Sequence, residues 1–305
     1  MNDASKGSGG ASTDVEGKRL PVAFLNHGGG PLPIIEESGG AHHSLVESLR
    51  NFQEDTGVTG KVRAILVISA HWEEKTPHIA APGGENLMYD YYGFPPIAYT
   101  LQYPCRGATD VARRTMELLK KAGMTASVSD RNFDHGVFVP LLLAYPDADV
   151  PVLQLSCLQS HNIHDHIEMG RILRPLRSEG VLILGSGMST HNMKVLMTGI
   201  GHGSISDDSA EKLRNFDDWL VSACVSRTGG DRERTLSEFS KAPFGRFAHP
   251  NIDHLLPLFV CIGAAGASTG RATLRTTFVG ASISNFLFDD REMMDSWDVI
   301  DPSSA

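Results

Sequence analysis

The run RAILVISA (63–70) is apolar at most positions and ends directly on His71. A strand with one wet face alternates apolar and polar residues, so this unbroken apolarity predicts a strand covered on both faces. Three further runs share the character: LPVAFLN (20–26), PVLQLS (151–156) and GVLILGSG (180–187). Between and around them lie helical patterns at 41–55, 108–122 (closed by Gly123), 163–178 and 207–225. This alternation predicts an α/β fold: a single three-layer domain with a central mixed or mostly parallel sheet flanked by helices. RATLRTTFVGASISNFLF (271–288) predicts two more strands around Gly280. The domain is expected over 19–290, between a disordered tail at 1–18 and a C-terminal tail at 291–305. Within it, 199–244 is the most polar stretch and reads as a helical surface excursion.

Composition excludes several function classes. The chain has 305 residues, 41% hydrophobic and 21% charged, with a net charge of -9 and no basic block. A nucleic-acid surface needs clustered Lys and Arg, so none is expected. Cys105, Cys157, Cys224 and Cys261 form no CxxC and read as reduced, buried thiols. The longest apolar run, Leu255 to Ala267, falls short of the ~20 residues that cross a bilayer. The first 17 residues lack the apolar core of a secretory signal. A cytoplasmic protein with no membrane contact is expected; no pattern specifies an oligomeric state.

In open α/β sheets, sites form beyond the carboxyl ends of strands. His27 follows the first apolar run, His71 the second, and His191, in GSGMSTHN, the last. NHGGGPLP (26–33) supports two chemistries. An HGGG run can be the oxyanion hole of a lipase-type esterase. Alternatively, a histidine at a strand end is a metal ligand and the glycines give a substrate close access. The esterase would need a nucleophile elbow followed by an acid and then a histidine. The GxSxG string at 266–270 follows a helix-like segment, and no histidine occurs after His254, so that order fails. HNIHDH (161–166) approaches a metallo-β-lactamase signature, but Ile163 stands at a ligand position. It reads as a polar loop and helix start. His42, His43, His78 and His202 have polar neighbours and read as surface residues. More pointed contexts surround His135 in FDHGVFVP, and His249 and His254 in AHPNIDHLLPL, where Pro250 opens an apolar helix. Imidazoles with nearby carboxylates suit Fe(II) or Zn(II) better than Mg(II) or Ca(II).

In order, NHGGGPLP, VISAHWEE, YYGFPPIAY, LQYPCRG, NFDHGVFVPLLLAYPDADVPVLQLS, HIEMGRILRPLRSEGVLILGSGMSTHN and HPNIDHLLPL span about residues 20 to 290. This series resembles the LigB-type class III extradiol ring-cleavage dioxygenases, in their DOPA 4,5-dioxygenase branch. The resemblance implies an enzyme that binds Fe(II), a catechol and O2, and opens the ring beside the hydroxyls to a muconate semialdehyde. L-DOPA or a related catechol is the substrate it implies. Carried over by motif, His27, His71 and His254 are the metal ligands, and His135 and His191 handle substrate protons. The protocatechuate-type relatives have a glutamate as third ligand, where this chain offers His254 with Asp253 beside it.

Among the remaining residues, Tyr92 and Phe94 are candidate pocket walls and His249 a candidate substrate contact. Tyr91 shares that aromatic stretch, and Arg131 and Arg246 are the cations considered for a substrate carboxylate. Zn(II) suits the same donors, so a zinc hydrolase on these histidines is the alternative enzyme. A non-catalytic binding relative is the third reading. Metal analysis together with oxygen consumption separates the three.

Overall fold

The computed structural model describes residues 19–36, 40–85 and 87–290. The tails expected at 1–18 and 291–305 lie outside these. Eight strands form one sheet: β1 (Val22–Asn26), β2 (Ala64–Glu74), β3 (His78–Ala80), β4 (Ser127–Ser129), β5 (Val152–Leu158), β6 (Val181–Gly187), β7 (Thr269–Phe278) and β8 (Ala281–Asp289). Their order is β4-β3-β5-β2-β6-β1-β8-β7. The centre, β5-β2-β6-β1, is parallel throughout. β3 runs antiparallel to β5, and the β7–β8 hairpin is antiparallel to β1, which makes the sheet mixed.

The central strands carry apolar residues on both faces because both faces are covered. Val22 and Phe24, Leu66 and Ile68, and Val181 and Ile183 face one core, closed by helices Ile163–Leu173, Asp207–Val225 and Leu256–Ala265. Their alternates Ala23 and Leu25, Ile65 and Val67, and Leu182 and Leu184 face the other, under helices His43–Arg50 and His135–Ala144. A strand's period of two distributes one apolar run between two cores. Three layers follow, as expected.

The polar stretch 199–244 packs on the sheet edge through one helix face. It is helical at Asp207–Val225 and Gly229–Ser237, and the first helix buries Leu213, Phe216, Leu220, Ala223 and Cys224. That helix covers β7 and β8, and among its charged residues Asp217 is buried with them, accepting from Ser284 Oγ and Arg275. Among the described residues, no helix is long and apolar enough to cross a membrane.

The carboxyl ends of β1, β2 and β6 lie side by side, with Asn26 opposite Gly187 and Ser69 opposite Ser186. At the end of β6 the glycine at 187 is required by a close approach: a Cβ there would collide with the His254 carbonyl. The Met188 N–H donates to that same carbonyl at 3.1 Å. The turn Asp253–Leu255 is thereby drawn against the strand end, bringing His254 to the site.

Candidate metal centre

Five imidazoles converge at this edge, each delivered by a different segment. His27 follows β1, and its N–H donates to Gly187 O at 3.1 Å. His71 sits where β2 loses register against β5, between Ser69 and Glu73. There its N–H donates to Ser69 Oγ (3.2 Å) and its carbonyl accepts from Arg131 Nη2 (3.0 Å). His135 is the first residue of helix His135–Ala144. His191 follows β6, with its N–H donating to Ala248 O at 3.0 Å. His254 lies in the turn packed on Gly187.

Ring centroids of His27, His71 and His254 are separated by 4.9, 5.4 and 4.8 Å. His27 Nε2 and His71 Nε2 are 3.2 Å apart. His135 is 3.9 Å from His71 and 5.2 Å from His27, centroid to centroid. His191 stacks on His254 at 3.4 Å with an interplanar angle of 16°. Potential ligand atoms of His27, His71 and His135 lie within 4.8 Å of one another, as do those of His191, Asp253 and His254.

Each ring has an oxygen beside Nδ1. The partners are Ser186 Oγ for His27 (3.0 Å), Asp90 Oδ1 for His135 (2.8 Å) and Asp253 Oδ1 for His254 (2.9 Å). Asp90 Oδ2 lies 3.6 Å from His71 Nδ1, and Asp253 Oδ1 lies 3.8 Å from His191 Nδ1. Oxygen acceptors at Nδ1 fix the ring and leave Nε2 as the ligating or proton-accepting atom. Ser186 Oγ itself donates to Gly136 O, so His27 Nδ1 meets a hydroxyl already committed to a carbonyl.

Burial favours the neutral form of His27, His71, His191 and His254, joined at His27, His71 and His254 by repulsion from neighbouring imidazoles. Burial, then the neighbouring imidazoles, pushes His27 and His254 well below the usual histidine range. His71 is pushed down to about 3 by burial and then by His135, with Asp90 opposing. Burial also lowers His191, again against a carboxylate, Asp253. Burial alone would raise Asp90, but the hydrogen bonds and charge of His135 hold it at about 2. Neutral imidazoles carry free lone pairs at pH 7, so a soft-to-borderline divalent metal meets no proton competition here. The donor set fits such an ion.

The remaining expected residues are distributed unevenly. Phe94 packs on Tyr91 (5.4 Å between centroids) and over Gly30, and Tyr91 lies 5.8 Å from His135. Tyr92 does not join this wall, because its side chain is 92% exposed. His249 is fully buried: its Nε2–H donates to Ser189 O at 2.9 Å and its ring lies among Phe216 and Phe239. Arg131 is occupied by the His71 carbonyl, by Asp134 and by the face of Trp72, while Arg246 is exposed.

His42, expected at the surface, is buried. Its Nδ1–H donates to Glu36 (2.8 Å) and its Nε2 accepts from the Gly29 N–H (3.0 Å), which satisfies both polar atoms inside. His161 and His166 of HNIHDH stay apart from the cluster. His161 pairs with Glu73, and His166 bridges Asn162 O and the Leu158 N–H. Asp90, Ser186 and Glu36 were not singled out by the sequence. Asp90 directly precedes YYGFPPIAY, and only its distance to two histidines marks it.

The family model described as the catalytic LigB subunit of aromatic ring-opening dioxygenase matches residues 21–286. A 4,5-DOPA dioxygenase extradiol from Beta vulgaris is 38% identical over 265 residues, covering 86% of this chain and 92% of that protein. A protein of the same name from Escherichia coli (strain K12) is 31% identical, covering 81% of this chain and 85% of its own length. The crystal structure of an uncharacterized protein from Escherichia coli K12 superposes with a TM-score of 0.68 at 27% identity, over 88% of this chain and 100% of that one. The chain belongs to the LigB family of aromatic ring-opening dioxygenases and is an extradiol ring-cleavage dioxygenase.

Proposed function

We propose that this enzyme uses Fe(II) to open a catechol ring beside its hydroxyls, with both atoms of O2 entering a muconate semialdehyde. L-DOPA or a related catechol is the substrate class, in line with the names of the Beta vulgaris and Escherichia coli relatives. The observation that carries the reading is the triangle of His27, His71 and His254. A metal–nitrogen bond of ~2.1 Å puts a ring centroid about 3.2 Å from the ion, so imidazoles at about 90–115° have centroids about 4.5–5.4 Å apart. Their separations of 4.8 to 5.4 Å meet this expectation. The 3.9 Å between His71 and His135 is too short for two rings on one ion, which favours His254 over His135 as third ligand.

Fe(II) held by His27, His71 and His254 would supply Lewis acidity toward catechol hydroxyls and redox chemistry toward O2. His191, neutral at pH 7 and stacked on His254, is assigned the base that accepts a catechol hydroxyl proton and returns it during ring opening. His135, with Nδ1 committed to Asp90, offers Nε2 to the substrate or to oxygen. Phe94 and Tyr91 wall the side of the site above Gly30. Four free, buried cysteines suit a reducing compartment such as the cytoplasm.

The test is oxygen uptake by anaerobically Fe(II)-loaded protein across a catechol panel that includes L-DOPA. Stoichiometric O2 consumption with a yellow semialdehyde is expected. Absence of uptake over the whole panel refutes the reading.

A further inference from the structure

We propose that Asp90 is a positioning residue whose one carboxylate sets the tautomers of His71 and His135 together. This rests on the reading above, in which His71 is a ligand and His135 meets substrate. Asp90 Oδ1 accepts two hydrogen bonds from His135, from its backbone N–H at 3.0 Å and from Nδ1–H at 2.8 Å. Its other oxygen, Oδ2, lies 3.6 Å from His71 Nδ1. A carboxylate offers no donor, so His135 turns Nδ1–H toward it and keeps Nε2 bare. His71 Nδ1, at 3.6 Å, is beyond hydrogen-bond reach, but the nearby negative charge favours the proton on Nδ1 there too.

The main chain holds this arrangement in place. The Met88 N–H donates to Phe133 O at 2.8 Å, and Leu87 bridges Phe133, so the segment carrying Asp90 is tied beside the one carrying His135. Across the site Asp253 has the same relation to His254 (2.9 Å) and His191 (3.8 Å). Each carboxylate thus spans one proposed ligand and one proton-handling ring, and the His71 pair is the one that the sequence did not mark.

An amide in place of Asp90 tests the tautomer directly. The His135 backbone N–H is an obligatory donor, so the oxygen of Asp90→Asn stays on that side and the NH2 faces His71 Nδ1. With the negative charge gone and an N–H donor turned toward Nδ1 of His71, the tautomer with the proton on Nε2 is favoured, and in that tautomer Nε2 has no lone pair for a metal. Asp90→Ala only removes the acceptor and leaves His71 free to choose. A residue that merely filled space would rank the isosteric Asn as the milder change; tautomer control ranks it as the worse one.

The experiment measures Fe(II) affinity by anaerobic chelator competition for wild type, Asp90→Asn, Asp90→Ala and His71→Ala. Side-chain 15N NMR of the metal-free proteins at pH 8 runs beside it. Affinity about 10–100-fold weaker in Asp90→Asn, weaker than in Asp90→Ala, with His71 carrying its proton on Nε2, is the expected result. Asn affinity equal to wild type, or no lower than that of Ala, overturns the proposal. If the Asn variant does not fold, wild type decides alone: Nδ1–H on both His71 and His135 supports the proposal, and Nε2–H on either overturns it. Full metal binding by His71→Ala instead removes the ligand reading beneath it.

Discussion

Lowering the pH from 7.5 to 5 should remove on the order of 4 kcal/mol from the folding stability of the metal-free protein, through two histidines outside the metal centre. His166 and His249 are both fully buried, and burial pushes each from 6.5 down to about 4. Their folded-state values lie below the unfolded one, so the unfolded chain binds protons first as the pH falls. Their contribution is therefore complete above pH 6.5 and is lost progressively between pH 6.5 and 4. At pH 5 each has lost roughly 2 kcal/mol, against a total of about 5–15 kcal/mol for a folded domain. The buried rings of the metal centre shift in the same direction and steepen the loss, whereas Asp134 and Asp55, both raised by burial, oppose it. Urea unfolding followed by circular dichroism, with a chelator present, reads the effect. His166→Gln can still accept from the Leu158 N–H and donate to Asn162 O, so it should fold and lose about 2 kcal/mol less on acidification. A flat stability between pH 7.5 and 5, or an unchanged acid loss in His166→Gln, would refute the reasoning.

The metal centre yields two further expectations. His254→Ala should bind less than one tenth of an equivalent of metal, and a full equivalent by elemental analysis would sink the ligand assignment. His191→Ala should keep its metal while kcat falls about 10²–10⁴-fold; wild-type turnover would remove it from the proton path. Away from the centre, His42→Phe leaves the Gly29 N–H and Glu36 without their ring partners, which costs about 1–3 kcal/mol in urea unfolding. His42→Gln, able to accept and donate at similar positions, should recover part of that, and a Phe variant as stable as wild type would contradict the pairing.

Legibility followed the physics of each segment. The runs that became β1, β2, β5 and β6 were readable because burial on both faces removes the alternation of apolar and polar residues, with polar side chains mostly toward their carboxyl ends. β3 and β4 were not: His78–Ala80 and Ser127–Ser129 are three residues long and gain their strand state only by pairing with neighbours. Helix His135–Ala144 carries no amphipathic period, since it is buried nearly all round and contains Pro140. At the site, strand ends made His27, His71 and His191 conspicuous, and these do converge with His135 and His254. Asp90 lies 45 residues from its partner His135; no local pattern encodes a contact that depends on Leu87 meeting Phe133. His42 was misjudged for a related reason. Its polar neighbourhood in sequence is the set of partners that lets it be buried.

The glycine run after His27 can be understood in the same terms. An oxyanion hole needs backbone N–H groups left free for a substrate oxygen. Here the Gly29 N–H is committed to His42 Nε2, and Gly29 O accepts from Leu32 N–H. Gly28 adopts φ +78°, and a Cβ on it would stand 2.5 Å from Pro33 Cγ and 2.9 Å from His42 Cδ2. A Cβ on Gly30 would press on the Phe94 ring at 3.2 Å. The glycines are thus needed because side chains pack onto their backbone: His42 and Pro33 from one direction, Phe94 from another. This packing fixes the chain that leaves His27, and it makes the loop part of the support for an imidazole cluster instead of a binding site for an oxyanion.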